Sequence, residues 1–215
     1  MRRDWSALRA LDDAATAGAE QLVSSSPLLL ELARGATLLG DPLGMTVAAL
    51  ALAVGLSIAG RYRLAAFVVA VRVGTQLLSS VTKELVDRAR PVFDVPVDTA
   101  SGASFPSGHT LAGTGMWLAL AVLLLPVVAP RLRPLVVAAC TAVAVAVAAS
   151  RVLLGVHYLS DVVGGLLLGA GWVALCAAVL VRWRAEEGVR VASVADAVEA
   201  PDPVEPPGNV EQGQR

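Results

Sequence analysis

The sequence predicts an all-α fold: a polytopic membrane helical bundle of about five transmembrane helices plus an N-terminal interfacial amphipathic helix. Three observations predict it. Of the 215 residues, 56% are hydrophobic and only 16% charged, where an ordinary soluble domain carries about a quarter charged residues. The mean hydropathy is +0.68. Five apolar stretches reach or approach the roughly 20 residues that cross a bilayer, and none alternates with the period of two that a closed β-barrel requires. Two cysteines exclude a disulfide scaffold, and a net charge of −1 gives no basic field for nucleic acid.

Residues 1–41 form the first segment. Asp12, Asp13, Glu20, Glu31 and Arg34 interrupt it, and a charge at the centre of a span costs about 2.5–3.5 kcal/mol. Leu22, Leu28–Leu30, Leu32, Leu38 and Leu39 instead suit a helix lying in the membrane interface. Met1–Arg3 is not followed by the uncharged stretch of a signal peptide. The predicted spans, Leu43–Gly60, Leu64–Thr82, Leu111–Ala129, Pro134–Ser150 and Leu159–Val181, fill a transmembrane domain over residues 42–184. Residues 185–215 carry seven acids, two bases and four prolines, the composition of a disordered acidic tail.

Basic residues orient the bundle. Arg61 and Arg63, Arg131 and Arg133, and Arg182 and Arg184 fall on one side if all five spans cross, and that side is expected to be cytoplasmic with the C-terminus. The loop Lys83–Thr110 and the turn Arg151–Tyr158 then share the extracytoplasmic face of a plasma-membrane protein. Lys83, Arg88, Arg90 and Arg151 lie there against the charge rule, so function must account for them.

The scarce residues gather on that face. Lys83 is the single lysine, and His109 and His157 are the two histidines. Converging Lys83, Arg90 and Arg151 would repel one another unless an anion joined them, and Arg matches phosphate oxygens bidentately. Ser107, Gly108 and His109 open a span, where free backbone N–H groups form an anion seat. His157 and Asp161 are four residues apart, so a helical turn places them on one face. A carboxylate that fixes the imidazole tautomer leaves Nε2 free as a nucleophile. His109, on another helix, can give the proton to a leaving oxygen. The set suits phosphoryl transfer without a metal or other cofactor.

The pattern Lys83-x6-Arg90-Pro91, Pro106-Ser107-Gly108-His109 and Ser150-Arg151-x5-His157-x3-Asp161 resembles the three-part signature of the type 2 phosphatidic acid phosphatase family. The resemblance covers roughly residues 40–184. It implies metal-independent hydrolysis of lipid phosphates or diphosphates through a phospho-histidine. It assigns His157 as nucleophile, Asp161 as its orienter and His109 as general acid and base, with Lys83, Arg90, Ser107, Gly108 and Arg151 cradling the phosphate. The implied partners are a lipid phosphate or diphosphate and the surrounding membrane lipids, not nucleic acid; no oligomeric state follows. Undecaprenyl diphosphate is the leading substrate for a bacterial-looking chain rich in Ala, Val and Arg, with phosphatidic acid and phosphatidylglycerol phosphate as alternatives. Bacterial members of the family usually show six spans; five are found here, and the difference falls at the N-terminus.

Other readings compete. Two His and one Asp could ligate zinc, but the neighbouring cations would repel it. A transporter or non-catalytic lipid-binding protein calls for a polar track across the bilayer, and only Arg72 and Gln76 penetrate deeply. A vanadate-dependent haloperoxidase shares the oxyanion pocket in related folds, though the small membrane-bound chain argues against it. Arg72 lies ~16 Å below Lys83 along its helix and reads as a buried structural pairing. Gly165-x3-Gly169 suits a dimer face or packing within the bundle. Cys140 and Cys176 read as packers. Tyr62, Tyr158 and Trp183 read as interfacial anchors, and Asp87, Arg88, Asp94 and Asp98 as solvated loop charges.

Overall fold

The computed structural model describes residues 5–93, 98–186 and 193–199. In chain order the helices are α1 (Ser6–Ser25), α2 (Pro27–Leu38), α3 (Pro42–Ile58), α4 (Tyr62–Val86), α5 (Gly108–Leu124), α6 (Arg133–Leu153), α7 (Leu159–Glu186) and α8 (Val194–Glu199), with a 3-10 turn at Pro130–Leu132 before α6. Every apolar stretch predicted from the sequence becomes one of the helices α3 to α7. Among the described residues, α4, the 3-10 turn with α6, and α7 are each long and apolar enough to cross a bilayer. The pair α2–α3, bent by 40°, supplies a fourth crossing if it acts as one span. The 17-residue α5 is shorter than these.

Helix α5 is the axis of the bundle and packs against α3, α4, α6 and α7. Its Leu111 and Ala119 are fully buried, as are Val68 and Val71 of α4 and Val147 of α6. Leu43, Leu50, Ile58, Leu77 and Leu167 point outward from the bundle. A sleeve of large apolar side chains on the outside is stable only where the surroundings are themselves apolar.

Small residues set the closest approach. A Cβ built on Gly165 would stand 3.0 Å from Thr110 Cβ and 3.2 Å from the Ser107 carbonyl oxygen, and one on Gly169 would stand 2.9 Å from Thr114 Cβ. The Gly165-x3-Gly169 face is therefore the seam between α7 and α5, not a surface left open for a second copy. Trp172 fills the space beside Gly74 in the same way on the α4 side.

The N-terminal segment differs from the single interfacial helix anticipated. Ser26 breaks it, its side chain accepting from the Leu29 N–H, with Pro27 opening α2. Helix α1 packs on α6 and α7, and the expected obstacle to burial, Asp12, is itself 1% exposed. The reason is specific pairing, described below. The tail also departs from the disorder expected over residues 185–215: Val194–Glu199 is helical, with Ala197 and Val198 buried. Arg61 donates to the Val198 and Glu199 carbonyls and Arg184 Nε to that of Ala197 (3.1 Å). Cations thus cap the carbonyl end of this short helix. The remainder of the tail lies outside the described residues.

Arg72 has no carboxylate partner among the described residues. It donates to Thr46 Oγ1 (3.0 Å), the Pro42 carbonyl (3.0 Å) and Gln76 Oε1 (3.1 Å), tying α4 to the first turn of α3. The structural role anticipated for it is met by neutral oxygens instead of an ion pair.

Overpacking the α5–α7 seam should destabilise the bundle. Gly169→Val is expected to cost about 2 kcal/mol, read as a lowered Tm in detergent, whereas Gly171→Ala, whose Cβ meets nothing, should leave Tm unchanged.

Candidate active site

One end of the bundle collects the C-termini of α4 and α6 and the N-termini of α3, α5 and α7. Lys83, Arg151, Asp41, His109 and Asp161 arrive there on these helix ends. His157 arrives through a turn. After α6 the Gly155 N–H donates to the Val152 carbonyl and the Val156 N–H to that of Arg151, with Gly155 at φ +69°. This is a Schellman ending, which favours glycine at its left-handed position. A Cβ on Gly155 would also stand 2.7 Å from the Phe93 ring. The turn carries His157 into the bundle, where it is 3% exposed.

The ring of His157 is held from both sides. Arg90 Nη1 lies 3.1 Å from Nε2. Because guanidinium only donates, Nε2 carries the lone pair and Nδ1 the proton. Nδ1 faces Ser104 Oγ at 3.4 Å and Asp161 Oδ2 at 3.5 Å, and Ser104 Oγ in turn donates to Asp161 Oδ2. The tautomer is the one that leaves Nε2 nucleophilic. Burial, reinforced by the Arg90 and Arg151 charges and opposed by Asp161, holds the His157 pKa below that of an ordinary imidazole.

Asp161 is fully buried at the start of α7. Its Oδ2 also accepts from the Tyr158 N–H (2.9 Å), closing half of a capping box, and its Oδ1 accepts from Arg88 Nη1 (2.9 Å). Arg88 is therefore no solvated loop charge. Its Nη2 donates to Asp12 Oδ2 (2.7 Å), its Nη1 also to Ser160 Oγ (2.6 Å), and its Cζ lies 4.1 Å over the Tyr158 ring. Tyr158, read as a membrane anchor, stacks in this network instead. Burial alone would lower the Arg88 pKa, but the two carboxylates carry it above its usual value.

The cation set converges but is more committed than the motif spacing implied. Arg90 donates to the carbonyls of Ser101, Gly102, Ala103 and Val156, so it staples the loop before α5 to the turn before α7 while touching His157. Arg151 donates to Thr37 Oγ1 (2.7 Å) and stands 3.7 Å from Asp98, and its Nε is buried without a partner among the described residues. Arg90 is within electrostatic range of both Lys83 and Arg151. A Cβ on Gly108 would lie 3.8 Å from Lys83 Nζ, so the lysine stands over the start of α5. Of the three N–H groups predicted for an anion seat, that of Ser107 is taken by the Asp161 carbonyl (3.2 Å). Ser107 Oγ caps the helix by accepting from the Thr110 N–H. The seat is left to Gly108 and His109.

His109 Nε2 lies 3.8 Å from Asp41 Oδ1, while Asp41 Oδ2 caps α3 through the Gly44 N–H (2.6 Å). Asp41, Asp12, Ser104 and Ser160 are site residues that sequence reasoning missed. Asp12 and Asp41 come from outside the motifs, and the only hint was an acid within an otherwise apolar N-terminal stretch. A cavity of about 270 Å³ lined by Arg90, Phe93, Asp98 and Leu154 adjoins the site. Asp98 is exposed enough to stay solvated as expected, and Asp94 lies outside the described residues.

Residues 61–185, more than half of the chain, match the PAP2 superfamily. The chain belongs to that superfamily. Phosphatidylglycerophosphatase B of Bacillus subtilis is 39% identical over 97 residues, covering 44% of this chain and 47% of that protein. Lipid A 1-phosphatase of Rhizobium etli is 34% identical over 113 residues, covering 48% and 44%. Decaprenylphosphoryl-5-phosphoribose phosphatase of Mycobacterium tuberculosis is 39% identical over 99 residues, covering 41% and 45%. The matched segment thus spans under half the length of each of these relatives. The crystal structure of a transmembrane PAP2 type phosphatidylglycerolphosphate phosphatase from Bacillus subtilis superposes with a TM-score of 0.74 at 27% identity, covering 88% of this chain and 91% of that one. The PAP2 chain described here is, like that transmembrane protein, a membrane protein, and its secondary structure among the described residues is helical throughout.

The direction of the His157 shift can be read directly, since the chain holds two histidines. In NMR titrations in detergent, with His109→Gln to assign the signals, the His157 ring should titrate below the ordinary value of about 6.5. A midpoint above that value would show that Asp161 outweighs burial.

Proposed function

We propose that this PAP2 protein hydrolyses a lipid phosphate or diphosphate by way of a phospho-histidine. The observation that carries this reading is the His157 ring, buried with its Nδ1–H toward Ser104 and Asp161 and its Nε2 lone pair toward the cation cluster. A phosphate seated on the Gly108 and His109 N–H groups, among Lys83, Arg90 and Arg151, would meet that lone pair. Nε2 attacks phosphorus as the phosphorus–oxygen bond to the lipid breaks. The electron pair leaves on the lipid oxygen and takes the proton from His109. Burial and the Arg151 charge hold the His109 pKa down to about 4 in the free site, and the charge of the bound phosphate stabilises its protonated form. A water then gives a proton to His109 and attacks the same phosphorus. The nitrogen–phosphorus bond breaks, its electrons return to the ring, and inorganic phosphate departs. Asp161 stabilises the positive ring between the two steps.

The phosphate contacts do not separate one lipid from another. Undecaprenyl diphosphate is the reading that the family resemblance implies for a bacterial-looking chain, and it would place the protein in cell-wall lipid recycling. Phosphatidylglycerol phosphate is the second reading, favoured by the likeness to the Bacillus subtilis protein and crystal structure. The basic loops support a site on the extracytoplasmic face with a cytoplasmic C-terminus.

With purified protein in detergent and EDTA, phosphate release from a panel of undecaprenyl diphosphate, phosphatidic acid and phosphatidylglycerol phosphate should fall at least about 1,000-fold in His157→Ala. The kcat/KM ranking across that panel names the lipid. Robust turnover by His157→Ala would falsify the nucleophile. His109→Ala should lower kcat about 100-fold or more with little change in KM. In intact cells, Thr99→Cys should react with an impermeant maleimide added from outside; labelling only after the membrane is opened would reverse the orientation.

A further inference from the structure

The first helix reaches the reacting histidine without touching it. Asp12 of α1 is 1% exposed, an unusual position for a carboxylate, while most of this amphipathic helix stays exposed. Its Oδ2 accepts from Arg88 Nη2 (2.7 Å) and Ser160 Oγ (2.7 Å), and its Oδ1 from the Ser160 N–H (2.8 Å). The opposite edge of the same guanidinium holds Asp161 Oδ1. Asp161 in turn faces the ring of His157.

We propose that Asp12 is a positioning residue for the His157–Asp161 pair, acting through the half-buried Arg88 to leave the trio with the net negative charge that phosphoryl transfer onto His157 calls for. An Arg88–Asp161 pair alone would be neutral. Such a pair would hold Asp161 in place yet cancel its attraction for the positive ring that forms when Nε2 bonds to phosphorus. Asp12 shares the guanidinium, so the unit of two carboxylates and one cation keeps one negative charge. Both carboxylates are buried and Arg88 is 25% exposed, so that charge is screened less than it would be at the surface. The same contacts fix the first turn of α7 through Ser160, so orientation and charge come from one residue.

Other charged groups surround His157 as well. Arg90 follows α4, Arg151 ends α6 and His109 begins α5, with Lys83 of α4 beside Arg90, Asp98 beside Arg151, Asp41 beside His109, Asp13 near Tyr158, and Arg9 of α1 lining the same cavity as Asp12 and Arg88. None of these is altered in the variants below, so changes at His157 report on the trio.

The inference rests on His157 being the nucleophile, and the experiment separates the two. The His157 ring is titrated by NMR in detergent. Asp12→Asn keeps the size and an acceptor for the Ser160 N–H, and should lower the His157 midpoint by ~0.5–1 pH unit. Arg88→Gln should raise it by a similar amount. The double variant, which restores one negative charge, should return it to near the wild-type value. Ser160→Ala removes a docking contact without changing charge and should leave the midpoint in place. On short-chain phosphatidic acid micelles, Asp12→Asn should lose about tenfold in kcat with KM little changed. Shifts of the same sign in all variants, an unmoved midpoint in folded Asp12→Asn, or an equal shift in Ser160→Ala would each overturn the relay. Turnover by His157→Ala would overturn the nucleophile instead, whatever the titrations show.

Discussion

A carboxylate taken wholly out of water must be met by donors, and Asp161 shows what that requirement builds. Leaving such a charge unpaired in an apolar bundle is prohibitive. Its oxygens draw in Arg88 from the segment after α4, Ser104 from the loop before α5 and the backbone of Tyr158 ahead of α7. Its carbonyl takes the Ser107 N–H, fixing where α5 begins. The site therefore assembles around one buried acid, and the histidine beside it inherits both its tautomer and its orientation.

Packing supplies the rigidity that this arrangement needs. The glycines of α7 let it lie against Thr110 and Thr114, directly below the first turn of α5. The relative heights of Asp161 and His109 are thus set by close contact between two helices. Arg90 does comparable work in the loops, joining residues 101–103 to the turn that carries His157. Its position shows how one cation can organise backbone and meet the Nε2 of His157 together, since five rigid donors reach several acceptors at once.

The opposite end of the bundle uses arginine differently. Arg61 and Arg184 close on the carbonyl end of α8 and hold part of the acidic tail against the helices. Arg63 lies 5.1 Å over the Trp183 ring near the same end. Guanidinium groups thus clamp backbone carbonyls at one end of the bundle and surround the two histidines at the other.

By itself the sequence determined the helical class, the helices α3 to α7 and the gathering of Lys83, Arg90, His109, Arg151, His157 and Asp161 at one end. Apolar run length and i,i+4 spacing are local properties and survive without coordinates. Tertiary structure alone decided that Asp12 and Asp41, far from the motifs in the chain, would stand behind the two histidines. It also decided that Arg88 would pair with Asp12 and Asp161 while lying against Tyr158, that the Ser107 N–H would be taken, and that Val194–Glu199 would fold onto the bundle. Those outcomes depend on which charge finds which partner once helices dock. Pairing between residues so far apart in the chain leaves no periodic trace in the sequence.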